Sequence, residues 1–228
     1  MNPGGNGHSS ARDGILGKIR QSLGDVGGID VPGDRSSTRD AEYVAIPREY
    51  RRPGLADKPA TLELLANRLH DYDATVYACT AQDIAQTVAT AMSARHKTSL
   101  LRAEQLPSEW LPSGFGFPVV DGMPYDEIDR GEGVITGCVT AIAFTGTIIL
   151  KHGVGDGKRA LTLIPDYHLC VVFAHQVVET VPEGLERLKG METLPLTTIS
   201  GPSATADIEM TRVKGVHGPR FLDVILVS

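Results

Sequence analysis

Two polar clusters near the carboxyl end of this chain hold the residue types that a small-molecule site needs. The first is Ile199-Ser200-Gly201-Pro202-Ser203-Ala204-Thr205-Ala206-Asp207-Ile208-Glu209, and the second is Gly215-Val216-His217-Gly218-Pro219-Arg220. Ser203 and Thr205 offer hydroxyls to a ligand oxygen, Asp207 and His217 offer proton transfer, and Glu209 adds a second carboxylate. Gly201 and Gly215 let the backbone turn tightly enough to bring these groups to one loop edge. Two further places carry chemistry. Thr145-Gly146-Thr147 sets a glycine among hydroxyls, as at a bulge or a close backbone approach. His168 follows the Pro165-Asp166 turn, where it could act as a base, bind a carboxylate, or simply bond the turn.

Spacing narrows the chemistry without completing it. The stretch has neither the Lys of a P-loop nor the G-x-G-x-x-G order of a dinucleotide fingerprint. Asp207 would itself occupy the positive end of a following helix, the position an anion needs. Ser203, His217 and Asp166 are the residue types of a hydrolytic triad, but Ser203 lacks the G-x-S-x-G frame. No two histidines are spaced as zinc ligands, so no metal is expected. The same residues also make an ordinary capped turn, with Ser203 or Thr205 as N-cap and Asp207 and Glu209 in the first helical turn.

The elements around these loops read as an alternating α/β chain. Helices are expected over Thr61–Asp71 and Asp83–Ala94, where apolar residues recur at helical spacing. Strands are expected at Ala74–Ala78, Thr98–Leu101, Pro118–Val120, Leu169–Phe173, Leu196–Ile199 and Arg220–Val227. Gly133–Leu150 suits strands, or a buried helix leading into one. His152–Arg159 reads as a hairpin loop that returns Leu161–Ile164 as a paired strand, and Val178–Leu188 as a helix. This order predicts a mostly parallel sheet flanked by helices. Residues 1–57 read as an arm: a polar tail to residue 10, an amphipathic helix over Ala11–Leu23 with Ile15, Leu16, Ile19 and Leu23 in a stripe, and a Pro/Gly-rich linker. Residues 58–228 then form the α/β domain.

Whole-chain properties limit the partners. The 228 residues carry a net charge of −6 with acids and bases interspersed, which disfavours nucleic acid. No apolar run reaches the roughly 18 residues of a membrane span, and no signal peptide is evident. Cys79, Cys138 and Cys170 are scattered through apolar segments, as expected of buried thiols in a cytoplasmic protein. The apolar stripe of the arm must dock on its own domain or on another chain, so a homo-oligomer or a hetero-complex is open.

Taken in order, Thr145-Gly146-Thr147, Leu163-Ile164-Pro165-Asp166-Tyr167-His168, Gly201 through Glu209, and Gly215 through Arg220 resemble the LUD-domain family. The resemblance runs from about Leu62 to the carboxyl end. It implies a fold similar to the NagB/RpiA/CoA-transferase group and a role in a bacterial system that oxidises L-lactate to pyruvate. It also implies two companion proteins with Cys-rich iron–sulfur motifs, so electrons would pass through those partners and this chain would need no redox cofactor. One departure stands out: Phe144 precedes Thr145, at a position where the resemblance implies an acid in many relatives. The alternative expectation is a small-molecule enzyme of the CoA-transferase or cyclo-ligase type, holding an anion at the Gly201 and Gly215 loops.

Overall fold

The computed structural model describes residues 7–22, 43–47, 54–153, 155–206, 212–215 and 217–228. They belong to two units, one within Met1–Glu49 and one within Tyr50–Ser228. In the first, α1 (Gly7–Ser22) begins a turn earlier than expected, so Gly7 to Ser10 are helical. Leu23 and most of the expected linker lie outside the described residues.

In the second unit, α2 (Lys58–Asp71) starts where expected chemistry puts it. Asp57 Oδ1 accepts from the Ala60 amide at 2.9 Å, and Pro59 stands in the first turn. Its Thr61, Leu65 and Leu69 are buried. There follow β1 (Thr75–Cys79), α3 (Ile84–Ala94), β2 (Leu101–Arg102), α4 (Tyr125–Asp129) and β3 (Val134–Thr136). The chain continues through β4 (Thr140–Ile142), β5 (Thr147–Lys151), β6 (Tyr167–Phe173) and β7 (Val177–Val178). It ends with α5 (Val181–Glu186), β8 (Leu196–Ile199), β9 (Ala204–Ala206), β10 (Arg212–Lys214) and β11 (Phe221–Val227).

Five strands form a parallel sheet in the order β1-β11-β6-β3-β2. A second sheet, β7-β4-β5-β8, is mixed, and β9 pairs with β10 in an antiparallel ribbon. The architecture is α/β with a mostly parallel main sheet flanked by helices. Central strands β6 and β11 are buried almost end to end, as parallel strands covered on both faces must be. Leu169, Val171 and Ile225 face α3 through Ile84, Val88 and Met92. Cys170, Val172, Leu222 and Val224 face α2 and the second sheet through Leu65, Leu69, Ile148 and Leu150. Each such fully buried aliphatic side chain contributes about 1.5–3 kcal/mol.

One ion pair is built into the core. Asp223, fully buried in β11, accepts from Arg95 Nη2 at 2.6 Å and from Nε at 3.1 Å, and Tyr167 Oη donates to it at 3.1 Å. Burial first, and then the Asp223 charge, push the Tyr167 phenol far above its ordinary range, so it remains a donor.

Four expectations are corrected. Pro118–Val120 is not a strand: only Val119 pairs, in an isolated bridge to Arg102 of β2. The return strand at Leu161–Ile164 is instead a short 3-10 turn over Arg159–Thr162, because both edges of β5 are already paired, with β4 and β8. The helix expected over Val178–Leu188 begins only at Val181: Thr180 caps it, Glu183 Oε2 accepts from the Thr180 amide at 2.9 Å, and Val177–Val178 is spent on β7. The helix expected after Gly201 gives way at its start to the β9–β10 ribbon, with Thr205 opposite Val213, while Asp207 and Glu209 lie outside the described residues. The Ser203 amide donates to Pro219 O at 2.8 Å and its carbonyl accepts from the Gly215 amide at 2.9 Å, so its backbone is already committed to an extended path.

Candidate functional site

The glycine loops form the rim of a hollow of about 260 Å³. Ser200, Gly201 and Ser203 come from the β8–β9 turn, His217 and Gly218 from the β10–β11 loop, and His168 from the amino end of β6. Arg159 and Thr162 approach from the 3-10 turn, and Thr197 from β8. Gly201 is required at its position: its φ is +81°, and a Cβ there would stand 2.4 Å from Tyr72 Cβ. Gly215, at φ +86°, lies under the Arg220 side chain, which would crowd any Cβ.

Hydroxyls form a chain that ends at the rim. Thr145 Oγ1 lies 2.7 Å from Thr147 Oγ1, which lies 2.8 Å from Ser200 Oγ. Gly146, between the two threonines, takes φ +63° in the β4–β5 turn and packs on Arg68 of α2, the close backbone approach that the motif suggested. Ser203 Oγ accepts from the His217 amide at 3.1 Å, so the hydroxyl expected to cap a helix caps the neighbouring loop instead. The loop is braced from outside. Arg220 grips Asp166 with two bonds, Nε to Oδ1 at 2.5 Å and Nη2 to Oδ2 at 2.9 Å. This pairing lowers the Asp166 pKa, chiefly through the Arg220 hydrogen bond. It also removes Asp166 from any triad with Ser203 and His217. Phe144, at the tip of the β4–β5 turn, is 59% exposed.

His168 is 2% exposed, and its Nε2 sits 2.8 Å from Thr136 Oγ1. Burial, reinforced by nearby His152, lowers its pKa from 6.5 to about 4. A neutral imidazole bonded to Thr136 is suited to orienting a ligand or accepting a hydrogen bond. Thr205 lies in β9, and Asp207 and Glu209 lie outside the described residues. The structure thus brings together His168, Gly201, Ser203 and His217, with Thr145, Gly146 and Thr147 one hydroxyl away.

A second, larger cavity of about 370 Å³ opens at the carboxyl ends of β2 and β3. Its key residue reads in the sequence only as the start of a hairpin loop: His152 is 3% exposed, with Nε2 2.8 Å from Thr197 Oγ1. Its Nδ1 is buried without a hydrogen-bond partner among the described residues. Burial and then Arg159 lower its pKa, against a smaller opposing effect of Asp156. The one available signal was its place directly after the apolar strand Ile148–Leu150. Cys138 also lines this cavity, and the neighbouring Cys170 together with burial holds its thiol well above the ordinary range, so it is not a nucleophile.

The wall between the two spaces consists of two crossed pairs. His152 lines the larger cavity and its partner Thr197 the smaller; His168 lines the smaller and its partner Thr136 the larger. Thr162 touches both. Among the described residues no group of three or more His, Cys, Asp or Glu could hold a metal ion, and no helix is long and apolar enough to cross a membrane.

Comparison with known proteins places this arrangement. The LUD domain model matches residues 124–227, from α4 to β11, and so takes in both clusters of the hollow. Lactate utilization protein C of Deinococcus radiodurans is 41% identical over 183 residues, covering 78% of this chain and 85% of that protein. Lactate utilization protein C of Halalkalibacterium halodurans is 37% identical over 100 residues, where the match spans only 43% of the relative. A crystal structure of a DUF162 family protein from Deinococcus radiodurans superposes with a TM-score of 0.65 at 35% identity, covering 76% of this chain and 99% of that one. By sequence over most of its length and by fold, the chain belongs to the LUD-domain family.

Proposed function

We propose that this protein serves bacterial L-lactate utilization in the cytoplasm, as a subunit that works with iron–sulfur partner proteins and holds no redox centre of its own. The observation that carries the reading is the 41% identity, over most of both chains, to a protein named for lactate utilization. The smaller hollow supports it chemically. Its hydroxyls, imidazoles and the Arg159 guanidinium suit a small carboxylate with an adjacent oxygen. A space of about 260 Å³ has room for such an acid. In this role His168 and the hydroxyls orient the acid, and His217 or Asp207 exchanges a proton with it. Residues 1–57 serve as the arm that engages a partner, and residues 58–228 as the ligand-holding domain.

The test is growth on L-lactate as sole carbon source. A deletion strain complemented with the wild-type gene should grow, and one complemented with Ser203→Ala/His217→Ala should not, with the variant folded and as abundant as wild type. A tagged wild-type chain should co-purify with proteins whose visible absorbance reports iron–sulfur clusters. Undiminished lactate growth of the deletion strain would remove the lactate reading. Full rescue by the double variant would confine the protein to a scaffolding role.

A further inference from the structure

Hydrogen bonds behind the smaller hollow fix which nitrogen of His168 carries its proton. β3 and β6 run side by side with Thr136 beside Cys170, and strand alternation puts Thr136, Cys170 and His168 on one face of the main sheet. Their bonds form a chain with a fixed end. The Gly137 carbonyl can only accept, and it takes the Cys170 thiol proton at 3.7 Å. The Cys170 sulfur then has only lone pairs to offer, and Thr136 Oγ1 donates to it at 3.7 Å. With its one proton spent, Thr136 Oγ1 accepts from His168 Nε2, 2.8 Å away. The neutral ring therefore carries its proton on Nε2, and Nδ1 is left with a bare lone pair.

The position of that lone pair gives it a use. Nδ1 makes no hydrogen bond among the described residues, and it is not sealed from solvent as Nδ1 of His152 is. The ring lines the smaller hollow and not the larger cavity, so Nδ1 opens into the hollow. Burial keeps the ring neutral down to about pH 4, so the lone pair is free at neutral pH. A ligand hydroxyl satisfies such an acceptor, whereas a carbonyl oxygen sets a second lone pair against it. The ligand's carboxylate is left to the hydroxyls of Ser200 and Ser203 and to Arg159. Arg159 has no ion-pair partner among the described residues, because Asp156 is paired with Lys151 and Asp166 with Arg220. Building on the lactate reading, we infer that His168 is a specificity-determining residue: its Nδ1 accepts from the 2-hydroxyl of a 2-hydroxy acid, so the hollow selects that acid over the corresponding 2-oxo acid.

The full chain would be titrated by calorimetry at pH 7 with L-lactate, pyruvate and 2-methoxypropionate, which keeps the oxygen of lactate but lacks its hydroxyl proton. L-lactate should bind at least about tenfold tighter than either. His168→Gln keeps a polar atom near the position of Nε2 for the Thr136 bond but deletes Nδ1, and it should remove most of that preference. Thr136→Val frees the ring to carry its proton on either nitrogen and should narrow the preference with an unchanged circular dichroism spectrum. In the wild-type chain, nitrogen NMR of the imidazoles should show His168 protonated at Nε2 and bare at Nδ1. A proton on Nδ1, or equal binding of the three acids, overturns the assignment and leaves the lactate reading standing. Saturable binding of none of the three overturns it too, and the growth test then decides separately whether the protein serves lactate utilization as a scaffold.

Discussion

His168 is a base kept neutral by its surroundings, and that has a consequence for stability. Unfolded, it takes up a proton near pH 6.5; folded, only near pH 4. Between those values the unfolded chain binds more protons, so stability is full above about pH 6.5 and falls as the pH drops toward 4. By about pH 5 the loss from this residue is about 2 kcal/mol. Urea titrations at pH 7 and pH 5 should show it, and His168→Leu should remove that part of the difference. His152 acts in the same direction, its pKa being lowered by burial and Arg159. The sequence marks His168 by its place after a Pro-Asp turn, while His152 reads there only as the start of a hairpin loop. The distinction lay in packing: both open or close a buried strand, and only the folded chain shows which spaces they line.

At the scale of elements, the main strands and the two long helices of the α/β domain were legible because their apolar period is unbroken. Thr61, Leu65 and Leu69 are spaced for one helix face, and Leu169 to Val172 for a strand covered on both sides. What misled was the polar stretch after Gly201, where small hydroxyl residues and acids suit a helix start. A partner strand from residues 212–214 overrides that local preference, and no window around Ser203 contains it. Two substitutions test how the elements are held. Gly201→Ala forces a side chain into a left-handed backbone against Tyr72 and should cost at least about 1–3 kcal/mol, measured by denaturant unfolding. Arg95→Ala leaves Asp223 charged and unpaired in the core and should cost about 3–5 kcal/mol. By contrast Asp166→Asn loosens an exposed brace. It should leave the melting temperature nearly unchanged while speeding amide exchange at His217.

For the molecule as a whole, two sheets enclose two spaces, and the crossed His–Thr pairs between them are shared property. A neutral imidazole has one nitrogen that donates and one that accepts. Whichever role Nε2 of His152 takes, the Thr197 hydroxyl takes the other. If Nε2 donates, Thr197 keeps its own proton for another acceptor; if Nε2 accepts, Thr197 presents its lone pairs instead. A change of tautomer at His152, on the side of the larger cavity, would therefore reach the lining of the smaller hollow without any movement of the backbone.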